Sequence, residues 1–330
     1  MSASGEGAKG SQSHLVDPLG PCPACGIPLD GERHCKVCGF DVPDPRLGTI
    51  VAEKYRIDAV LGEGGIGVVY RAFHLTLGEG VAIKFLRHPL SERSEFRARF
   101  RREAVILAGL RHPAIVSVLE FGELDGELYM VMELIAGTPF SNVIQTNGVP
   151  MPWIRVGPVF DEILGVLEAA HAAGIVHGDL KPENVMLLDA TERGGRVKVL
   201  DFGIAHFEEA GTGGQRPSET DPIRGTPLYM SPEQCKGVHV TAASDIYSAG
   251  VMLFEAVTGV LPFDALDHAG MMFRHMFVEP PRLAISGVRP AASRGLEDLV
   301  QRAMAKSPAT RPNARAFREE LARVVRGTDA

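Results

Sequence analysis

The chain has 330 residues, 45% of them apolar, and a formal net charge of −7 at pH 7. That length suffices for one two-lobed domain, or two ordinary ones plus a small module, with a sizeable core. The acidic balance argues against a general nucleic-acid or membrane-surface binder.

Residues 1–20 are rich in Gly and Ser, with no basic start and no apolar core. They read as a mobile tail and not as a signal peptide. No apolar run approaches the ~20 residues needed to span a bilayer. The best one, 249–263, is interrupted by Glu255, Gly259 and Pro262. A soluble, cytoplasmic protein is the expectation.

Two C-x-x-C-G knuckles follow within 21–42, one at Cys22 and Cys25, the other at Cys35 and Cys38. Each can offer two thiolates, and four complete a tetrahedral Zn²⁺ site. Two disulfides or an iron site are the alternatives. Without a secretory signal, the disulfides are disfavoured. A unit of ~20 residues lacks a core of its own, so metal is expected to order this ribbon. Four acidic side chains against two basic ones in 21–45 disfavour nucleic-acid binding by the ribbon. A docking or regulatory role, with a partner, fits better. His34 beside Cys35 reads as a surface residue. Pro43, Pro45 and Gly48 mark a linker over 43–54.

Dense globular patterning begins at Tyr55. Tyr55, Ile57, Ala59 and Leu61 alternate as a half-buried strand, and 68–73 and 81–86 predict two more. The spacing of Phe96, Phe100, Leu107 and Leu110 predicts a helix over 94–110. Strands are expected at 115–121 and 128–134. Beyond Gly137 the pattern turns mainly helical, with a long helix over 153–171 and Gly174 placed to follow its end. Short strands at 185–188 and 197–200 precede helices over 244–258, 294–304 and 313–325. A sheet-rich front half and a helix-rich back half predict an α+β domain over 55–326. Its two lobes flank a cleft, and 327–330 trail as a tail.

The chemistry concentrates around that cleft. Leu61-Gly62-Glu63-Gly64-Gly65-Ile66-Gly67-Val68-Val69 joins two predicted strands. Glycine lets a backbone approach phosphate with no Cβ in the way. A dinucleotide site needs a helix after the glycines. Here a β-branched strand follows, so a hairpin lid over a nucleotide fits better. A plain tight hairpin is the bland alternative. Lys84 shares one strand face with Ala82 and Leu86. Glu103 lies on the apolar stripe of the helix over 94–110. Each would be costly to bury alone, so the two are expected to pair. Separate snorkelling to water is the alternative.

Asp179 and Asn184 stand on a turn stiffened by Pro182, and Asp201 follows an apolar strand. A carboxylate and a carboxamide suit Mg²⁺, which prefers oxygen ligands. Ordinary turn capping is the alternative for each turn. Together, two carboxylates, an amide and Lys181 can hold metal-bound phosphate and aim a hydroxyl at it.

Taken in order, these motifs resemble those of protein kinases, particularly bacterial Ser/Thr kinases of the eukaryotic-like (Hanks) type. The resemblance covers about 55–326. It rests on Gly62, Gly64 and Gly67, on VAIK ending at Lys84, and on Glu103. It continues through HGDLKPEN at 177–184, DFG at 201–203, GTPLYMSPE at 225–233, Asp245 and Arg311. It implies a two-lobed kinase-like fold and ATP- and Mg²⁺-dependent phosphorylation of Ser/Thr in proteins, with autophosphorylation. Lys84 then holds the α- and β-phosphates of ATP and pairs with Glu103. Asp179 accepts or orients the substrate hydroxyl proton, and Asn184 and Asp201 coordinate Mg²⁺. Lys181 touches the γ-phosphate and, with Thr226, marks Ser/Thr specificity. The lid Gly62, Glu63, Gly64, Gly65, Ile66 and Gly67 covers the nucleotide. Leu61, Val69, Ala82 and Met186 sandwich adenine, Met132 is the gatekeeper, and the backbone from Glu133 to Ile135 bonds the base. Glu233 and Arg311 anchor the activation segment, and Asp245 braces the catalytic loop. A pseudokinase scaffold and a small-molecule phosphotransferase are the competing readings. The intact residue set counts against the first, and the 226–233 peptide-docking segment against the second.

Three positions depart from the family pattern. Gly178 stands where many members carry an arginine that grips a phosphorylated loop. Thr220→Ala is therefore expected to keep most activity in a peptide-phosphorylation assay; a loss of about two orders of magnitude would refute this. Ser231 replaces an alanine, a small-for-small change expected to matter little. Ser307 replaces a frequent aspartate. Residues 208–223 read as a mobile segment whose Thr212, Ser218 and Thr220 are autophosphorylation sites or merely solvated hydroxyls. Cys235 reads as a small residue packed at a helix start. Arg87, Arg93, Arg97, Arg99, Arg101 and Arg102 read as a solvated helix face in preference to a phosphate or partner site.

Overall fold

The computed structural model describes residues 21–27, 29, 33–40, 42–63, 67–86, 97, 109–110, 112–147, 150–151, 153–188, 197–202, 227–283 and 290–328. Among them, a six-stranded antiparallel sheet is followed by a predominantly helical body. The sheet comprises β1 (Ile50–Val51), β2 (Tyr55–Glu63), β3 (Gly67–His74), β4 (Glu79–Leu86), β5 (Val118–Leu124) and β6 (Glu127–Glu133), in the order β1-β2-β3-β4-β6-β5. Both faces of β4 are covered. Val81, Ile83 and Phe85 join Tyr70, Tyr129 and Val131 on one face. Ala82 and Leu86 join Met130 and Met132 on the other, which is the face of Lys84. The two-residue alternation of a strand thus presents one buried ammonium to the cleft side.

Segment 43–54, read as a linker, contributes β1, paired antiparallel to β2. Just ahead of it, Asp44 is almost wholly buried. Its carboxylate accepts hydrogen bonds from the Tyr70 hydroxyl and the Arg46 amide, each at 2.8 Å, and pairs with Arg33 of the cysteine unit. Arg46 pairs with Glu127 and lies over the Phe85 ring, 4.6 Å from its centroid. A latch of buried charge therefore ties the cysteine unit to the outer face of the sheet. A hydrogen bond to a charged group contributes about 1.5–3 kcal/mol. Tyr70→Phe is expected to lower stability by about that amount in thermal or urea melts; an unchanged melting curve would show that the latch carries no load.

A three-stranded sheet, β7 (Gly137–Pro139), β8 (Val185–Leu188) and β9 (Val197–Val199), floors the cleft. Among the described residues, helices α1 (Phe140–Asn147), α2 (Trp153–Ala172), α3 (Pro232–Cys235), α4 (Ala242–Thr258), α5 (His268–Phe277), α6 (Pro290–Ala303) and α7 (Ala314–Thr328) follow the first sheet. Apart from α3, their apolar faces share one core, with members such as Phe160, Leu164, Met252, Leu299 and Phe317. Gly174 ends α2 in the left-handed conformation, φ 74°, where the Ile175 amide returns to Ala170 and the Gly174 amide to His171. That double bond satisfies carbonyls the helix leaves open, and glycine adopts the required φ without strain. No described helix is long and apolar enough to cross a membrane.

Some elements differ from expectation. The strand expected at 115–121 starts only at Val118. Residues 114–116 bond to β9 instead: the Val199 amide donates to Ala114 O and the Val116 amide to Val199 O. An apolar β-prone run cannot announce which strand it will join. Of the helix expected over 94–110, Arg97 and Gly109, both helical, and Leu110 are described; Glu103 lies outside the described residues. So do Gly64, Gly65, Ile66, Gly203, Thr226, residues 208–223 and, of the arginine run, all but Arg97.

Candidate active site

Two turns and one strand meet below β4. Lys84 Nζ lies 2.8 Å from Asp201 Oδ1. Among the described residues the partner of Lys84 is Asp201; its expected pairing with Glu103 falls outside them. Burial pushes the Asp201 carboxyl up, but the charge and hydrogen bond of Lys84 override it and hold it below the ordinary carboxylate range. Asp201 adopts φ 55°. A left-handed backbone costs a non-glycine residue about 1–2 kcal/mol, so the surroundings must hold it there. The next residue, Phe202, is buried and packs against His177 in a tilted arrangement, with ring centroids 4.6 Å apart.

The 177–184 turn is fixed from beneath. Asp245, buried in the first turn of α4, accepts the His177 and Gly178 amides, both at 2.8 Å, and contacts His171 Nε2 at 2.8 Å. His177 Nδ1 accepts the Asp179 amide at 3.2 Å, which leaves Nε2 as the donor to Leu200 O at 2.9 Å. One imidazole thereby joins the turn of Asp179 to the strand end of Asp201. The Asp179 carboxylate receives Lys181 Nζ at 2.6 Å and Asn184 Nδ2 at 3.3 Å. Asn184 Nδ2 also donates to Asp179 O at 2.7 Å, and Asn184 O accepts the Leu200 amide. Lys84, Asp179, Lys181, Asn184 and Asp201 are therefore brought together.

Glycine at 178 has a backbone reason. It sits at φ 74°, with its amide on Asp245 and its carbonyl receiving Gln234 Nε2 at 2.6 Å. A side chain there would be strained. Gln234 was not anticipated. Its Oε1 accepts the Ser231 amide, while Ser231 Oγ caps α3 by accepting the Gln234 amide. The expectation that Ser231 matters little is corrected: alanine would lose the cap, which is worth about 1 kcal/mol. Below it, Glu233 and Arg311 form a bidentate pair at 2.6 and 2.9 Å. Ser244 Oγ adds a third bond to Glu233, and Arg311 also donates to the Ala305, Ala243 and Lys306 carbonyls. Cys235 is buried, and burial pushes its thiol up to about 12. It packs as a small apolar residue at the end of α3.

On the β4 face that carries Lys84, Ala82, Val69 and Met132 line the cleft side of the sheet, and Leu61 is exposed. The Glu133 amide is already taken by Ser117 O at 3.0 Å. Among the described residues, a Cβ at Gly62 would meet nothing within 4 Å, so none of them demands glycine there. At Gly67 a Cβ would lie 1.9 Å from the Phe85 carbonyl oxygen. Gly67 is thus required by the close approach of β3 to β4, whatever the loop binds.

The four thiols of Cys22, Cys25, Cys35 and Cys38 lie within 4.8 Å of one another. Two cross-knuckle Sγ–Sγ distances are 3.5 Å, near the ~3.8 Å edge of a tetrahedron with ~2.3 Å metal–sulfur bonds. The knuckles repeat each other: the Gly26 amide bonds Cys22 O as the Gly39 amide bonds Cys35 O, at φ 76° and 74°. Amides of Cys38 and Val37 lower the Cys35 thiol to about 6. The Phe40 amide works to lower Cys38, yet burial and the three neighbouring thiols push it up to about 12. Four such thiols cannot all ionise together unless a cation sits among them. No disulfide joins them, and His34 is exposed.

A strand-built lobe beside a helical one, with a lysine–carboxylate pair near the braced 177–184 turn, defines a protein-kinase-like fold. The chain belongs to the protein kinase family: the protein kinase domain profile matches residues 55–321. It is 40% identical over 280 residues to Serine/threonine-protein kinase pkn3 of Myxococcus xanthus, covering 84% of this chain and 51% of the relative. It is 42% identical over 281 residues to Serine/threonine-protein kinase PksC of Streptomyces coelicolor, covering 82% and 49%. The chain thus spans about half the length of these curated relatives. The crystal structure of the Mycobacterium tuberculosis PknI kinase domain superimposes with a TM-score of 0.65 at 28% identity, covering 84% of this chain and 97% of that one.

Proposed function

We propose that this chain transfers the γ-phosphate of ATP to Ser or Thr hydroxyls of proteins, itself included, in the cytoplasm. The observation that supports this is the Lys84–Asp201 ion pair, joined through His177 to a turn on which Lys181 and Asn184 both bond the Asp179 carboxylate. Lys84 supplies positive charge for the α- and β-phosphates. Asp179 orients the incoming hydroxyl and takes its proton, and Lys181, already on the Asp179 carboxylate, offers its ammonium to the γ-phosphate. Asn184 and Asp201 fit Mg²⁺ as oxygen donors, and the ion neutralises phosphate charge when bound. Leu61, Val69, Ala82 and Met186 enclose adenine below the lid that Gly62 leaves sterically open. Thr226 completes the Ser/Thr-selective set. The test is transfer of labelled phosphate to protein substrates by wild type and by Asp179→Asn.

Zinc in the Cys22, Cys25, Cys35 and Cys38 cluster is part of the same reading, with the ribbon bracing the sheet through Arg33 and Asp44. Elemental analysis is expected to find about one zinc per chain. Stripping it with a chelator should lower the melting temperature, because metal binding and folding are coupled in so small a unit. Metal-free protein with four freely reacting thiols and an unchanged melt would overturn the assignment.

A further inference from the structure

We propose that Lys198 is a positioning residue for the nucleotide: it locks Glu133 in place and so sets the edge on which adenine is read. The inference rests on the reading of the cleft given above. Lys198 stands in the middle of β9, with its side chain 14% exposed. Its Nζ donates to Glu133 Oε1 at 2.6 Å and to Ile115 O at 3.2 Å. The Ser117 amide donates to the same Glu133 oxygen at 2.7 Å, and the Glu133 amide returns to Ser117 O at 3.0 Å. Glu133 is thus held at both its amide and its carboxylate, by groups from two separate parts of the chain.

This arrangement fixes more than a side chain. With amide and carboxylate both tied, the backbone N, Cα and Cβ of Glu133 are held in place, and with them the point from which the peptide carrying the carbonyl offered to the base departs. Charge-assisted bonds are the shorter and stronger kind, so the clamp is stiff. It also spans the cleft. Glu133 ends β6 of the upper sheet, Lys198 belongs to the lower sheet, and Ile115 and Ser117 lie between them. Three residues beyond Lys198 comes Asp201, in ion-pair contact with Lys84. One strand therefore sets both the base-reading edge and the phosphate end. Small displacements of such groups are costly in rate or affinity, because positioning is most of what they contribute. A merely structural ion pair would lower the melting temperature and leave nucleotide kinetics alone.

The experiment is steady-state phosphorylation of a protein or peptide substrate with varied ATP and varied GTP, using the full chain, alongside calorimetry with Mg·ATP. Lys198→Met is expected to raise KM for ATP by about tenfold with kcat within about threefold, and to narrow the preference for ATP over GTP, since a looser edge discriminates hydrogen-bonding patterns less well. Lys198→Arg, which keeps the charge and two donors, should restore most of the affinity. Glu133→Gln, which keeps the shape and loses the charge, should fall between wild type and Lys198→Met, and carries the test if the methionine variant does not fold. Wild type that binds Mg·ATP, with Lys198→Met and Glu133→Gln matching its KM and its ATP preference, overturns the inference alone. Wild type that binds no Mg·ATP overturns the reading of the cleft and this inference with it.

Discussion

Asp179→Asn is expected to slow phosphate transfer by about 10²–10⁴-fold, the range attributed to a positioned general base. Mg·ATP affinity should stay nearly unchanged. The substitution is close to isosteric, and the geometry explains why it should not disturb the fold. The Asp179 amide still reaches His177 Nδ1, and its carbonyl still accepts Asn184 Nδ2. What is lost is the charge that faces Lys181 at 2.6 Å and the capacity to take a proton. Lys84, Asp201 and the adenine-facing strands are untouched. Kinetics and calorimetry on the same preparation separate the two roles. Transfer within tenfold of wild type would remove Asp179 from the mechanism. Wild type that binds nucleotide and transfers nothing would favour a scaffold.

The second large effect concerns stability. Arg311→Met is expected to cost about 3–5 kcal/mol, because it strands a buried carboxylate. For a domain of this size that corresponds to a fall in melting temperature on the order of 10 °C. Arg311 is fully buried at its side chain and makes bonds to Glu233 and to three carbonyls. Glu233 has Arg311 and Ser244 as partners. Burial alone would push its carboxyl up; the bonds from Arg311 and Ser244 outweigh it and hold the group below its ordinary value of 4.5. A carboxyl depressed by folding contributes stability that is complete above its unfolded pKa and is lost as the pH falls through the folded value. Wild type should therefore show a steeper acid limb below about pH 4.5 than a Glu233→Leu, Arg311→Met double variant. The double variant should also recover part of the loss, since apolar replacements of a buried pair are often tolerated. A single Arg311→Met variant within about 1 kcal/mol of wild type would show the pair to be energetically idle.

Much of the site could be read in advance because its residues are local to one another in the chain. Asp179, Lys181 and Asn184 share one turn, and their mutual contacts span two to five positions. Lys84 stood out as a charge inside an apolar strand, and strand alternation alone put it on the face with Ala82 and Leu86. The paired C-x-x-C-G spacings likewise announced four thiols able to surround one ion.

The partners of those residues were not legible. Gln234 reaches Gly178 across 56 positions, His171 reaches Asp245 across 74, Lys198 reaches Glu133 across 65, and Tyr70 reaches Asp44 across 26. Local periodicity reports which face a residue takes, because the periods of helix and strand are set by the backbone. It carries no record of which distant polar group will lie opposite. That depends on how the elements stack, and a buried polar group accepts whichever partner the topology delivers. Motif order and strand faces thus followed from the amino-acid sequence, whereas the bracing of the 177–184 turn, the latch on the outer sheet and the clamp on Glu133 were decided only when the chain closed on itself.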